Sequence, residues 1–325
     1  MKTDAVQVSR YGGPEVLELV QLEVAPPGPG EVRVRNRAIG LNFIDIYYRS
    51  GLYSAPLPHG LGVEGAGEIE SVGPGVTGFK EGDRVAYASG PVGAYAGLRC
   101  LGESHLVHLP KSIAFEDAAA SLLKGLTVQY LFRQTYRLQG SETILFHAAA
   151  GGVGLIACQW AHALGVKVIG TVGSPEKAKL ARKYGAWQVI DYSKEDFVAR
   201  VLALTGGAKV PVVYDGVGKS TWEGSLDCLQ PRGLMVSYGN ASGPVTGVNL
   251  SILAQKGSLF VTRPTLFTHI ATRAKLDAAA GELFAMMKSG AVRATIERRF
   301  ALADVVRAHE ELAARRTTGS CVLLP

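Results

Sequence analysis

The chain has 325 residues, 47% of them hydrophobic and 19% charged, with 40 glycines and 15 prolines. That balance suits a globular α/β protein of two domains and excludes a disordered or fibrous chain. The formal charge of +6 is spread along the sequence, with no basic block beyond pairs such as Arg298-Arg299 and Arg315-Arg316, which fits a field for an anionic ligand better than a nucleic-acid surface.

No apolar run approaches the roughly 20 residues of a membrane span. The opening "MKTDAVQVSRYGG" carries charge where a secretory signal would be apolar. Cys100, Cys158, Cys228 and Cys321 are far apart and show no CxxC spacing, so free thiols in a reducing cytoplasm are expected.

In chain order, residues 1 to about 120 read as β-rich. "EVRVRNRAIG" alternates Val32 and Val34 with Arg33 and Arg35, the period of a half-buried strand. "VEGAGEIESVGPGVTGFKEGDRVAYAS" (63–89) gives short strands broken by glycine turns, as in a compact barrel or sandwich. From about residue 125 the rhythm becomes strand, helix, strand. Strands are expected at 143–149, 166–172, 211–218, 233–240 and 258–265. Helices are expected at 152–165, from Ser174-Pro175 onward, at 196–206 and at 220–230. Alternation of this length predicts a parallel, doubly wound sheet. Beyond 265 a long helix near 271–289 returns the chain to a mixed texture.

"FHAAAGGVGLIACQWA" (146–161) lies at the turn from the first strand of this βαβ unit into its helix, where a dinucleotide fingerprint must sit. In the G-x-G-x-x-G frame it reads Ala149, Gly151, Gly154, with Gly152 and Val153 between the last two. Gly151 would admit a pyrophosphate close to the backbone, Gly154 would let the helix pack on the sheet, and the helix N-terminus would offer free N–H groups. An NAD site places an acid at the end of the second strand to hold the ribose 2′-hydroxyl. Here Gly173 and Ser174 stand there, followed by Lys177. The small pair leaves room for a 2′-phosphate that Lys177 can neutralise, so the expected cofactor is NADPH. Glu176 is assigned to the capping of the following helix.

Over essentially its whole length the chain resembles the zeta-crystallin-like quinone oxidoreductases of the medium-chain dehydrogenase/reductase family. The resemblance rests on "GGPEVLEL", "AIGLNFIDIYYRSGLY" (38–53), "LGVEGAGEIESVGPGV", "GDRVAY", "ASLLKGLTVQYL", the 146–161 segment, "YDGVG" and "VTRPT". It implies a GroES-like catalytic domain over 1–125 and 266–325 and a Rossmann NADPH-binding domain over 126–265. The active site would lie in the cleft between them, and a homodimer would form through the edge strand near 258–264. Zinc-dependent relatives carry a cysteine where this chain has Asn42 and a histidine where it has Val63, so no metal site is expected. His59, His105 and His108 are then surface or loop histidines. Quinones need little activation, and the implied activity is their NADPH-dependent reduction by zinc-free electron or hydride transfer.

The same resemblance puts Asn42, Asp45 and Tyr47 near the nicotinamide and Tyr53 at the substrate mouth. Asn42 would bond a quinone oxygen or the cofactor ribose, and Tyr47 would donate to the reduced oxygen. Further cofactor contacts are carried over to Lys124, Thr127, Val217, Tyr238, Gly239, Asn240 and Leu266, with Tyr192 and Arg315 at the adenosine phosphate. Two alternatives stay open. One is C=C reduction of α,β-unsaturated ketones or aldehydes; the other is an RNA-binding or structural, crystallin-like role, for which no clustered aromatic and basic motif speaks.

Overall fold

The computed structural model describes residues 1–325, which divide into two compact units: Met1–Lys124 with Ala271–Ser289 and Arg293–Pro325, and Gly125–Ile270 with Gly290–Val292. In the first unit β1 (Lys2–Val8) pairs antiparallel with β2 (Leu17–Glu23), Lys2 opposite Glu23 and Val8 opposite Leu17. β3 (Glu31–Leu41) is the long central strand, and α1 (Phe43–Arg49) leaves directly from its end. The two-residue β4 (His59–Gly60) pairs with the other edge of β1. β5 (Gly65–Val72), β6 (Arg84–Tyr87), β7 (Leu98–Gly102) and β8 (Leu106–His108) then build onto β3. Val32 and Val34 turn inward while Arg33 and Arg35 stay half-buried, as the alternation requires. The core gathers Val32, Val34, Leu61, Tyr87 and Tyr95.

α2 (Phe115–Tyr130) carries the chain past the division. The second unit follows as β9 (Thr143–Phe146), α3 (Gly152–Ala163), β10 (Lys167–Val172), α4 (Pro175–Lys183), β11 (Gln188–Asp191), α5 (Phe197–Leu204), β12 (Val210–Asp215), α6 (Trp222–Asp227), β13 (Leu229–Ser237), α7 (Ser251–Gln255), β14 (Phe260–Thr262) and α8 (Leu266–His269). Its six strands lie in the order β11-β10-β9-β12-β13-β14, all parallel. Strand order therefore reverses between β9 and β12, the switch point at which open α/β sheets collect ligands. Leu145, Ile169, Val213, Leu226 and Met235 fill the core on one face.

α9 (Arg273–Lys288), β15 (Ile296–Ala301), α10 (Val305–Ala313) and β16 (Ser320–Leu324) complete the first unit, and β16 pairs antiparallel with β3. The two units are thus a β-rich fold and a Rossmann-type doubly wound fold.

Several expected spans are corrected at their ends. The strand expected over 143–149 stops at Phe146, because Ala148 takes φ +56° and turns the chain towards α3. The expected 258–265 strand shortens to three residues, since Pro264 has no N–H to extend the ladder. β13 begins four residues before the expected 233. His59, expected on the surface or in a loop, is buried, its Nδ1 held 2.7 Å from the Gly60 carbonyl.

Candidate active site

In the first unit the site residues hang on the end of β3. Asn42 is the N-cap of α1, in extended backbone with φ −137° and ψ 154°. Its backbone N–H donates to Asp45 Oδ2 at 2.8 Å, the return half of a capping box. The Asn42 side chain is 6% exposed, and its amide donates to Glu64 Oε2 at 2.8 Å.

Glu64, in the link from β4 to β5, is fully buried. It also accepts the Leu123 backbone N–H at 2.7 Å and the Lys124 ammonium at 3.3 Å. A Cβ at position 40 would collide with this carboxylate and with the Ala119 carbonyl, so Gly40 is what lets β3 pass. Asn42 and Lys124, both expected as site residues, are thus tied together by a carboxylate to which the sequence reading gave no role. A buried charge survives only when paired and hydrogen-bonded, and Glu64 has both kinds of partner.

Asp45 was expected beside the nicotinamide. Its carboxylate is 0% exposed, and its hydrogen-bond partners lie within its own unit. A directed chain of hydrogen bonds ends on it. Arg49 can only donate, so His309 Nδ1 accepts from it at 3.1 Å. His309 Nε2 then carries the ring proton and donates to the Tyr95 hydroxyl, also at 3.1 Å. Tyr95 donates onward to Asp45 Oδ2 at 2.8 Å. Burial lowers the His309 pKa to about 3, with the Arg49 charge adding to the effect. Burial raises that of Asp45 to about 7, against the hydrogen bonds from Tyr95 and Asn42. Oδ1 of Asp45 is buried with no partner, so nothing offsets desolvation on that side of the anion.

Tyr47 and Tyr53 come together as an edge-on pair, ring centroids 5.2 Å apart, and Tyr53 donates its backbone N–H to the Tyr47 carbonyl at 3.0 Å. Tyr47 is buried and Tyr53 half-buried. Arg315 lies elsewhere in this unit, in the exposed turn after α10, with φ +56°, the left-handed position at which helices commonly end.

In the second unit the expected residues gather at the C-terminal ends of neighbouring strands. After β9, Gly151 caps α3 with no side chain of its own to satisfy the first turn, which leaves the N–H groups of Gly152, Val153 and Gly154 for a ligand. A Cβ on Gly154 would strike the Ala148 carbonyl and the Ala149 backbone, whereas one on Gly151 would approach only the Ala148 oxygen, at 3.3 Å. The fingerprint's first glycine is alanine for a visible reason. Ala149 is fully buried against β10, where Gly170 makes room; a Cβ at 170 would lie 2.5 Å from that of Ala149.

At the end of β10, the Ser174 hydroxyl caps α4 by accepting the Lys177 backbone N–H at 3.3 Å. Glu176 is fully exposed, its pKa lowered by hydrogen bonds from its own N–H and from Ser174. Gly173 has no Cβ to meet the Tyr192 hydroxyl, which sits 2.7 Å from where one would be. Past β12, Val217 donates its N–H to Asp215 Oδ1 at 2.7 Å. Past β13, Gly239 packs on the Gly216 backbone with no room for a Cβ, and the Tyr238 ring covers Gly216. Asn240 accepts from Arg263 Nη2 at 3.1 Å, an arginine the sequence reading passed over, and donates to the Gly239 carbonyl at 3.0 Å. Thr127 is half-buried on α2, and Leu266 opens α8 with its side chain buried. An open glycine cap, an uncapped twelve-residue helix and a small pair beside a lysine are the donor set a phosphorylated dinucleotide requires.

The chain matches two family descriptions: an alcohol dehydrogenase GroES-like domain over residues 28–115, and a zinc-binding dehydrogenase over 152–277. It is 70% identical to a quinone oxidoreductase of Pseudomonas aeruginosa over 98% of this chain and 99% of that one. The chain belongs to the quinone oxidoreductases of the medium-chain dehydrogenase/reductase family. The crystal structure of the Escherichia coli family member, complexed with NADPH, superposes with a TM-score of 0.98 at 56% identity, covering 99% of this chain and 100% of that one. A Burkholderia 2-haloacrylate reductase is 43% identical over 99% of this chain and 98% of its own. The zinc in one family description does not fit the donors present. Asn42 offers an amide already bound to Glu64, Val63 is buried and apolar, and no three His, Cys, Asp or Glu side chains converge on one point.

Proposed function

We propose that this protein reduces quinones at the expense of NADPH, without a metal. The observation that carries the cofactor choice is the end of β10, where Gly173 and Ser174 replace the acid of an NAD site and Lys177 follows on the first turn of α4. The substrate class follows from 70% identity to a quinone oxidoreductase over nearly the whole chain. NADPH, when bound, supplies the reducing equivalents.

What the chain supplies is binding and orientation. The first turn of α3 and Gly151 hold the pyrophosphate, Lys177 and Tyr192 the adenosine phosphate, and Val217, Tyr238, Gly239 and Asn240 the remaining strand-end contacts. Asn42 presents its amide to the quinone oxygen or to the ribose. An amide has two N–H donors and Glu64 takes one, so the other is aimed by the first. Tyr47 donates a hydrogen bond to the reduced oxygen, with Tyr53 packed edge-on against it. Lys124, Thr127, Leu266 and Arg315 complete the proposed cofactor contacts.

A second reading is C=C reduction of a conjugated acceptor, favoured by the 43% identity to a 2-haloacrylate reductase. The protein is further proposed to work in the cytoplasm, its four cysteines all free thiols, and as a homodimer through the exposed edge strand β14.

Chelator-treated protein is expected to oxidise NADPH only when 1,4-benzoquinone is added, and to use NADH far more slowly. Turnover of enones without turnover of quinones would move the function to the second reading. Activity restored only by added zinc would refute the metal-free site.

A further inference from the structure

Beneath the strand ends of the second unit lies a closed polar chain that the proposed site does not use. His147 follows β9, Thr171 is on β10, Asp215 ends β12 and Ser225 is on α6; none is more than 1% exposed. Thr171 Oγ1 is 2.8 Å from His147 Nδ1, and Ser225 Oγ is 2.9 Å from His147 Nε2. Ser225 Oγ donates to Asp215 Oδ2 at 3.0 Å, and Thr221 Oγ1 donates to the same oxygen at 2.7 Å. The other carboxylate oxygen, Oδ1, accepts the backbone N–H of Val217 at 2.7 Å and of Gly218 at 3.0 Å.

The donors settle the direction of the chain. Ser225 has one proton, and Asp215 takes it, so towards His147 the serine accepts and Nε2 carries the ring proton. Nδ1 is then the acceptor of the Thr171 hydroxyl. Burial lowers the His147 pKa, opposed by the Asp215 charge, which agrees with a neutral ring.

Serine, histidine and aspartate within hydrogen-bond reach are also the parts of a hydrolytic triad, but here they are in the wrong order. The aspartate sits on the serine rather than on the far nitrogen of the histidine, and Ser225 is fully buried. A nucleophile needs a base to take its proton and a route to substrate; Ser225 has neither.

Asp215 has four donors on two oxygens, and two of them are the N–H groups of the turn that carries Val217. The carbonyls of that turn have other partners, that of Val217 accepting the Ser242 N–H at 2.7 Å and hydroxyl at 2.8 Å, but its two N–H groups are aimed by the carboxylate. The carboxylate is held sideways by Ser225, which is itself held by a histidine pinned between Thr171 and Ser225. We infer that His147, Ser225 and Asp215 are positioning residues that set the Val217–Gly218 turn as a contact of the dinucleotide, independently of its 2′-phosphate. The inference rests on the proposed NADPH site.

The test is direct binding of NADPH and of NADH, followed by fluorescence titration, with quinone KM and kcat at saturating NADPH measured alongside. Ser225→Ala is expected to raise both nucleotide Kd values by a similar factor, roughly tenfold for a lost hydrogen bond to a charged acceptor, and to leave quinone KM unchanged. His147→Leu should do the same. His147→Gln, whose amide still donates towards Ser225, should recover most of the affinity, a rescue that general loosening of the fold would not give. Thr221→Val removes a donor to Asp215 from a half-buried site, and serves if Ser225→Ala fails to fold; it should weaken both nucleotides in the same sense. Variants that fold and bind both nucleotides like the wild type overturn the inference. So does a loss confined to NADPH, which would place the effect at the 2′-phosphate. A wild-type protein that binds neither nucleotide defeats the NADPH reading itself.

Discussion

Lys177 spends its backbone N–H on the Ser174 hydroxyl, so the first turn of α4 fixes the root of its half-buried side chain. Hydrogen bonds to a charged group contribute about 1.5–3 kcal/mol, on the order of ten- to a hundredfold in affinity. Lys177→Ala is therefore expected to raise the KM for NADPH by about tenfold or more and that for NADH by less than about twofold. Steady-state kinetics with both cofactors checks this, and equal losses would remove Lys177 from the 2′-phosphate. The placement of such a residue was legible because it follows from local spacing: a strand end, a small pair, a helix start. Glu64 was not legible, because its meaning lies in Asn42 on one side and Leu123 and Lys124 on the other, partners distant in sequence. The same holds for Ala149, which is acceptable in a glycine's place only because Gly170 on the neighbouring strand gives way.

At the scale of an element, α1 shows how a seven-residue helix can be held to a defined start. Its capping carboxylate belongs to Asp45, and that carboxylate is buried with one oxygen unpartnered. The folded protein thus holds the Asp45 proton up to about pH 7, while the unfolded chain releases it near 3.8. Between these values the native state binds more protons than the unfolded one, so this group's contribution to stability is full below about pH 4 and lost as pH rises towards 7. Three pH units correspond to an upper bound of about 4 kcal/mol. Asp45→Asn removes the titration, and its stability relative to wild type is expected to improve from pH 4.5 to 7.5. Urea midpoints across that range measure the difference, and parallel curves would show that Asp45 is ionised throughout. The elements themselves were legible where pattern and capping agree: Ser174 does start α4, and Asp196, whose carboxylate accepts the Ala199 N–H at 2.9 Å, does start α5. Strand ends were not, because backbone turns such as that at Ala148 are set by contacts beyond the local window.

At the scale of the whole molecule, the alternating texture after residue 125 made the parallel sheet readable, because every crossover there is local. The first unit was less readable, since its central strand β3 pairs with β5, β7 and, from the far end of the chain, β16, and no periodicity records which strand a strand will meet. The edge of the second sheet is a different matter. β14 is the last of the six parallel strands, with Phe260 55% exposed and Val261 39% exposed. An unpaired apolar edge is a template for another strand, and natural chains seldom leave one bare unless something covers it. In the proposed homodimer a second copy of this chain would meet the need, because the same edge brought to itself across a twofold axis would pair antiparallel and cover both phenylalanines. Phe260→Lys puts a charge on that edge in each copy, so like charges would be brought into the same seam. Sedimentation equilibrium at micromolar concentration is expected to give a dimer for the wild type and a monomer for the variant. None of the proposed cofactor contacts lies on β14, so NADPH affinity should persist in the monomer. A variant that stays dimeric would move the interface elsewhere, and a monomeric wild type would leave the exposed edge without the partner argued for it.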